Sequence, residues 1–230
     1  MIRSDEVIEE LGTGDLRIIQ KKKGFRFGTD AVILKDFAKG AVCSSMLDLC
    51  TGSGIIPILF SAENQCPEIH GIEIQPEIAD MAKRSAELNR LDGRIKITCG
   101  DLREAERFYQ KRYFDVITCN PPYIKAGAGA ASNEGSRLIA RHEIMCRLED
   151  VIRVSAELLD QGGRLFMVHK PFRLADIFCL MRKYKIEPKR MKCVYSGDAD
   201  NKISGPPSLV LVEGLYEGKS DLKVEEPVIL

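Results

Sequence analysis

The chain has 230 residues, enough to bury the core of one full α/β domain. Lysine plus arginine equals aspartate plus glutamate at 34 each, so any contact with nucleic acid must come from local basic patches. The apolar runs are too short for a membrane span, and the acidic first ten residues do not resemble a signal peptide. Eight cysteines without a Cys-x-x-Cys pair predict a reduced, cytoplasmic protein that binds no metal.

Strand-like and helix-like segments alternate along most of the chain. We expect residues 2–11 to form a short helix or a frayed end, and residues 16–20 to form a strand that enters a small hairpin through Gly24. Thr29 or Asp30 is a candidate N-cap for the first helix. Further strands are predicted at 46–49, 69–74, 95–99, 114–119, 164–168, 191–195 and 209–213, the last two joined through Gly205-Pro206-Pro207. Helices are predicted at 31–37, 55–62, 76–89, 102–109, 148–159 and 174–184.

This alternation predicts an α/β fold with a doubly wound, mostly parallel seven-stranded sheet and an antiparallel edge hairpin. We expect a single domain at residues 30–216. Residues 1–29 would be an N-terminal extension with a small hairpin, and residues 217–230 a C-terminal tail.

The most informative stretch is the apolar run 114–119, which ends at Asn120-Pro121-Pro122-Tyr123. Two prolines make a rigid, extended corner at the end of a buried strand. An amide and an aromatic ring at such a corner suit a flat nitrogenous substrate whose amino group must be held and aimed. The alternative is an ordinary Asn-Pro turn followed by a core tyrosine.

Other polar residues also follow predicted strands, and ligands of such sheets bind beyond the carboxyl ends of the strands. Gly52 and Gly54 let the backbone approach a ligand, Glu73 can accept hydrogen bonds from ribose hydroxyls, and Asp101 can accept one from an adenine amino group. Each has a simpler alternative: a tight turn, a solvated strand end and a helix N-cap. The third glycine of a dinucleotide-binding loop is missing, which disfavours NAD.

The chain resembles the class I S-adenosylmethionine-dependent methyltransferases that methylate amino groups, and most closely the bacterial tRNA1(Val) (adenine-N6)-methyltransferase family. Four motifs carry the resemblance: 47–54, Gly71-Ile72-Glu73, Gly100-Asp101 and Asn120-Pro121-Pro122-Tyr123. The closer match rests on 27–32, 54–57, 71–76, 140–143 and 185–191. One departure is Cys50, which stands where the family's loop usually begins with glycine and is expected to narrow the approach of the methionine moiety.

The resemblance implies S-adenosylmethionine as cofactor and methyl transfer to N6 of adenosine 37 of a valine tRNA. Asn120 and the Pro121 carbonyl would accept hydrogen bonds from the amino group, and Tyr123 would stack on the base, so these three are the expected catalytic residues. Expected cofactor contacts are Thr29, Asp48, Cys50, Thr51, Gly52, Gly54, Glu73, Ile74, Gly100, Asp101, Leu102 and Asn120.

The tRNA is the expected partner, and we expect a monomer or weak homodimer. Basic clusters at 21–26 and 182–192 are either phosphate contacts or ordinary solvated faces. Expected substrate contacts are Pro122, Tyr123, Phe27, Lys21, Lys22, Arg26, Arg141, His142, Lys189 and Arg190.

Three other functions remain open at this point. The Asn-Pro-Pro-Tyr motif also resembles enzymes that methylate a protein glutamine amide, but those carry a helical domain ahead of the catalytic fold, whereas fewer than thirty residues precede Thr29 here. A base amino group of rRNA or DNA is another acceptor. A non-catalytic nucleotide- or RNA-binding module is disfavoured by the intact motif.

Overall fold

A mixed β-sheet runs through the chain in a computed structural model, which describes residues 2–23, 28–63, 66–122, 146–197 and 202–230. The strands are β1 (Glu6–Glu10), β2 (Arg17–Lys21), β3 (Ser45–Leu49), β4 (Glu68–Glu73), β5 (Ile95–Cys99), β6 (Phe114–Cys119), β7 (Leu159–His169), β8 (Ile186–Gly197), β9 (Ile203–Tyr216), β10 (Lys223–Val224) and β11 (Val228–Ile229). The helices are α1 (Thr29–Phe37), α2 (Ile55–Glu63), α3 (Pro76–Leu88), α4 (Leu148–Leu158) and α5 (Leu174–Lys183). Leu102–Arg107 and Pro171–Arg173 are short 3-10 turns.

The strand order confirms the predicted doubly wound sheet, which has nine strands rather than the seven expected because the short strands β10 and β11 join it. It runs β10-β8-β9-β7-β6-β3-β4-β5, with β11 also pairing with β8. Strands β3 to β7 are mutually parallel, whereas β9 is antiparallel to both β7 and β8. The predicted antiparallel hairpin is therefore present, and the short strands β10 and β11 add to its outer strand in parallel.

Both faces of the central strands are buried, as apolar runs in parallel sheets predict. Leu47 and Leu49 face a cluster built with α4 and α5, while Met46 faces a cluster built with α1 and α2. Successive residues of a strand point to opposite faces, so one short strand supplies both cores. Among the helices of the described ranges, none is long and apolar enough to cross a membrane.

The N-terminal segment is a β-hairpin, so the expected helix or frayed end at residues 2–11 is wrong. Strand β1 pairs antiparallel with β2, and the partner of β2 therefore lies before it in the chain rather than after Gly24. The hairpin packs on α3, where the Ile19 N–H donates to Ser85 Oγ at 3.0 Å. Arg84 forms an ion pair with the buried Glu6 at 2.6 Å and lowers the pKa of that carboxyl to about 2.

Three smaller expectations also need correction. Helix α1 begins at Thr29 after Gly28, without a side-chain N-cap from Thr29 or Asp30. Strand β7 begins directly after α4 and includes Gly162 and Gly163, because an irregularity beside Phe114 lets the strand continue through them. The segment Gly205-Pro206-Pro207 lies inside β9, where the pairing with β8 is interrupted and no ladder hydrogen bond is needed from proline.

Candidate functional site

The candidate site lies where the order of the parallel strands reverses, between β3 and β6. These strands are neighbours, with Leu49 in register with Cys119. The loop after β3 and the Asn120-Pro121 corner therefore leave the sheet side by side, and β4 ends next to them. The structure brings the following predicted residues to this edge: Asp48, Cys50, Thr51, Gly52, Gly54, Glu73, Ile74, Gly100, Asp101, Leu102, Asn120, Pro121 and Pro122.

The loop after β3 has an unusual backbone. Cys50, Gly52 and Gly54 all adopt left-handed conformations, with φ of 58°, 55° and 85°. A side chain on Gly54 would also meet Ala82 of α3, since an added Cβ would lie 3.3 Å from the Ala82 Cβ. Glycine at this position thus lets the loop turn sharply into α2 and pack against α3.

Glu73, the last residue of β4, fixes this loop. Its side chain is only 6% exposed, which excludes the solvated strand end considered above. One carboxylate oxygen accepts the Gly52 N–H at 3.1 Å, and the other accepts the Gln75 N–H at 3.0 Å. A carboxylate has about four acceptor sites, so the oxygen that holds Gly52 keeps capacity for a ligand hydroxyl.

Asp48 lies beneath the same loop and is 1% exposed. The Thr118 hydroxyl donates to one oxygen at 2.5 Å, whereas Oδ2 finds no hydrogen-bond partner among the described residues. Burial raises the pKa of Asp48 to about 7, and the nearby Thr118 and Thr51 hydroxyls offset only part of that effect. A buried carboxylate oxygen that lacks a donor fits the ammonium group of an amino-acid-like ligand, such as the methionine part of S-adenosylmethionine.

The Thr51 side chain has a structural role. It is 3% exposed and packs across Gly71, where an added Cβ would lie 2.9 Å from the Thr51 methyl group. Its backbone N–H donates to Ile72 O at 3.0 Å. The side chain therefore locks the loop onto β4, and its predicted contact with the cofactor stays a prediction.

Asp101 caps the 3-10 turn that follows β5, which is the alternative considered for it. Its carboxylate accepts the Arg103 N–H at 2.9 Å and also binds the Arg103 guanidinium, which lowers the pKa of Asp101. Gly100 lies against the Phe108 ring, since an added Cβ would be 2.6 Å from that ring. Leu102 is buried in the core. Hydrogen bonding of Asp101 to an adenine amino group remains a prediction.

The Asn120-Pro121-Pro122-Tyr123 corner, where the catalytic residues are expected, is described as far as Pro122. Asn120 is half-buried, Pro121 is buried, and Pro122 is partly exposed. Five predicted substrate contacts lie outside the described residues: Phe27, Arg26, Tyr123, Arg141 and His142.

Cys50 belongs to a cluster of three cysteine side chains that the sequence patterns do not reveal. Its Sγ lies 3.8 Å from Cys146 Sγ, and the buried Cys119 belongs to the same core cluster. The Cys50 side chain thus packs toward the α4 face of the sheet, which helps to offset a cost of about 1–2 kcal/mol for a left-handed non-glycine residue. Cys146 comes 96 residues later, so no local signal could have paired the two.

The predicted basic contacts fall in two places. Lys21 and Lys22 lie at the end of the hairpin near the start of α3, where Lys21 pairs with Asp5 at 2.6 Å and approaches Glu77 at 3.8 Å. Lys22 donates to Ser4 O at 2.8 Å.

Thr29, an expected cofactor contact, is the first residue of α1 and is exposed.

The second basic pair, Lys189 and Arg190, lies on β8, three strands away from β6. The Arg190 guanidinium stacks over the Phe37 ring at 4.7 Å and pairs with the fully buried Glu213 and with Glu225. The structure does not bring this pair to the site edge. Their contact with phosphate stays a prediction that the geometry does not support.

Taken together, the doubly wound sheet, the glycine loop at its switch point, the acid that ends β4 and the Asn-Pro-Pro corner define a class I S-adenosylmethionine-dependent methyltransferase. The chain belongs to the methyltransferase small domain family, whose model matches residues 22–183. These findings confirm the enzyme class and the cofactor predicted from the sequence.

Several similar proteins share one name, tRNA1(Val) (adenine(37)-N6)-methyltransferase. The protein of Porphyromonas gingivalis is 32% identical over 172 residues, covering 72% of this chain and 67% of that protein. The protein of Histophilus somni is 28% identical over 194 residues, covering 80% of this chain and 79% of that protein.

Solved structures share the fold at lower identity. A predicted O-methyltransferase from Agrobacterium tumefaciens superposes with a TM-score of 0.68 at 20% identity, covering 87% of this chain and 86% of that chain. Geranyl diphosphate C-methyltransferase from Streptomyces coelicolor, solved with S-adenosyl-L-homocysteine, has a TM-score of 0.58 at 13% identity, covering 81% and 76%.

Replacing Glu73 tests whether Glu73 and the loop 50–54 hold the cofactor. We expect Glu73→Ala to weaken S-adenosylmethionine binding at least tenfold, because a charge-assisted acceptor is worth roughly 1.5–3 kcal/mol and the Gly52 loop loses its anchor. Calorimetric titration measures the Kd. Glu77→Ala, which changes an exposed acid at the start of α3, should leave it unchanged. An unaltered Kd in the Glu73 variant would remove Glu73 from the cofactor site.

Asp48 predicts a pH dependence of stability. The unfolded chain releases this proton near the ordinary pKa of 3.8, whereas the folded protein keeps it to about pH 7. The contribution of Asp48 to the free energy of unfolding is therefore full below about pH 4 and is lost as the pH rises toward 7. Between pH 5 and 8, the free energy of unfolding of the wild-type protein should fall by at least about 1 kcal/mol more than that of Asp48→Asn. Urea denaturation without cofactor measures both values.

The matched control for this measurement is Asp101→Asn. The pKa of Asp101 is lowered, so its contribution changes only as the pH falls below its ordinary value. This variant should keep the wild-type pH dependence between pH 5 and 8. Equal slopes for wild type and Asp48→Asn would contradict a raised pKa at Asp48.

Proposed function

We propose that this chain transfers the methyl group of S-adenosylmethionine to the exocyclic N6 of an adenine in tRNA, namely adenosine 37 of tRNA1(Val). The observation that carries the proposal is the place of the Asn120-Pro121 corner, beside the glycine loop at the switch point of the sheet. The shared name of the relatives supports the choice of substrate. A tRNA substrate also supports the expected location in the cytoplasm.

The cofactor supplies an already activated methyl group, so the protein mainly has to align donor and acceptor. The loop 50–54, Asp48 and Glu73 would hold the cofactor. The Asn120 side-chain oxygen and the Pro121 carbonyl would accept the two N–H groups of the adenine, which turns the nitrogen lone pair toward the methyl group. Pro121 and Pro122 limit the backbone freedom of these acceptors.

The Asn120-Pro121 corner suits an unstacked, unpaired base. Adenine N6 of a stacked or paired nucleotide is not accessible to a site at a sheet edge, whereas an anticodon-loop nucleotide can be presented unpaired. Tyr123 would supply the stacking face for this base. Lys21 and Lys22, on the α3 side of the site, would contact phosphates.

Asn120→Ala separates binding from chemistry. We expect the Kd for S-adenosylmethionine to stay within a few-fold of wild type, while methyl transfer to a tRNA1(Val) transcript falls at least about a hundredfold, because the amino group loses its acceptor. Radiolabelled methyl transfer measures the rate. Asn120→Asp keeps a side-chain acceptor and should retain part of the activity.

The RNA itself provides a second control. A transcript with guanosine at position 37 lacks the adenine amino group and should accept no methyl from the wild-type protein. Near wild-type transfer by Asn120→Ala, or equal transfer to both transcripts, would contradict the proposed mechanism and site.

A further inference from the structure

Phe172 is an exposed aromatic residue in the turn that leaves β7. Its relative exposure is 59%, although an aromatic side chain is normally stabilised by burial. The turn Pro171–Arg173 is one short 3-10 segment that leads directly into α5. Lys170 and Arg173 flank the ring in sequence.

This turn lies beside the catalytic corner. Strands β6 and β7 are parallel neighbours, and Cys119 is in register with Met167. Two residues further along, His169 is therefore level with Pro121 on the adjacent strand. Adjacent strands are about 4.8 Å apart, and the three residues from His169 to Phe172 span at most about 10 Å. The ring thus lies within one or two nucleotide lengths of the place proposed for the target base.

The backbone that carries the ring is fastened on both sides. His169 is 4% exposed, and its Nδ1 accepts the Lys170 N–H at 2.8 Å. Arg173 pairs with Asp176 at 2.8 Å, and Lys170 Nζ donates to Ser208 O at 3.4 Å. Burial and the nearby Arg173 charge lower the pKa of His169 to about 4, so it is neutral at physiological pH. The cations next to Phe172 in the sequence are therefore Lys170 and Arg173, and the charge of Arg173 is already paired with Asp176.

We propose that Phe172 is a stacking platform for a base of the substrate RNA that neighbours the target adenine, with Lys170 beside the adjoining phosphate. An exposed ring with cationic residues next to it in the sequence is a combination typical of single-stranded RNA binding, since the ring stacks a base and the cations attract the backbone. This inference rests on the proposed function and adds a positioning residue to it. The tRNA would then lie over the ends of β6 and β7 rather than along β8.

The chain offers a direct reporter because it contains no tryptophan. Phe172→Trp places a single tryptophan at the turn, and stacking against a base should quench its fluorescence when tRNA1(Val) transcript is added. The matched control is Tyr113→Trp. Tyr113 is also exposed, at 39%, but it precedes β6 at the opposite edge of the sheet, so its fluorescence should not change.

Kinetics give the second readout. Phe172→Ala should raise the KM for the transcript about tenfold or more, with the Kd for S-adenosylmethionine and the Tm close to wild type, whereas Tyr113→Ala should leave that KM unchanged. Phe172→Tyr keeps the ring and should restore the wild-type KM. The proposed stacking role of Phe172 would be contradicted if Phe172→Ala changed only the Tm. It would also be contradicted if Phe172→Ala left the KM unchanged and tRNA did not quench the fluorescence of Phe172→Trp.

The two proposals fail in different ways. If the wild-type protein transfers no methyl group to tRNA, the proposed function is wrong. If the wild-type protein methylates tRNA while both Phe172 readouts are unchanged, the function stands and only the platform is wrong.

Discussion

The carboxylate of Glu73 connects the two parts of the structure on which the site depends. By accepting the Gly52 N–H and the Gln75 N–H, it ties the loop after β3 to the end of β4. That loop has three left-handed residues in five positions, and the hydrogen bond from the Gly52 N–H to Glu73 restricts the backbone freedom that the two glycines give it. The switch point between β3 and β6 then places the loop beside Asn120.

Under the proposed function, the donor and acceptor sites share one rigid frame. The residues proposed to hold the cofactor lie at the ends of β3 and β4, and those proposed to hold the adenine follow β6, which pairs directly with β3. Methyl transfer from an activated donor needs alignment more than acid–base chemistry. A rigid sheet edge with a proline-fixed corner would provide that alignment without a titrating group in the proposed catalytic role.

The sheet, and the location of the site at the carboxyl ends of its strands, could be predicted from the sequence, because periodicity and proline placement report local structure directly. Glu73 and Asn120 could be placed since the last residues of parallel strands share one edge. Contacts between distant segments could not be predicted. The Cys50–Cys146 contact and the Arg190–Glu213 pair join residues that are far apart in the chain, with no local signal between them. The pairing of β1 with β2 is local, and Gly12 and Gly14 in their connection were the signal that was missed. Phe172 was missed because its meaning depends on the register between β6 and β7.

The central claim is that this site methylates N6 of adenosine 37. The most direct measurement is mass spectrometry of nuclease fragments from tRNA1(Val) after incubation with the protein and S-adenosylmethionine. The fragment that contains position 37 should gain one methyl group, and its nucleosides should include N6-methyladenosine. An unmethylated tRNA, or a methyl group found at another position or on another atom, would contradict the account.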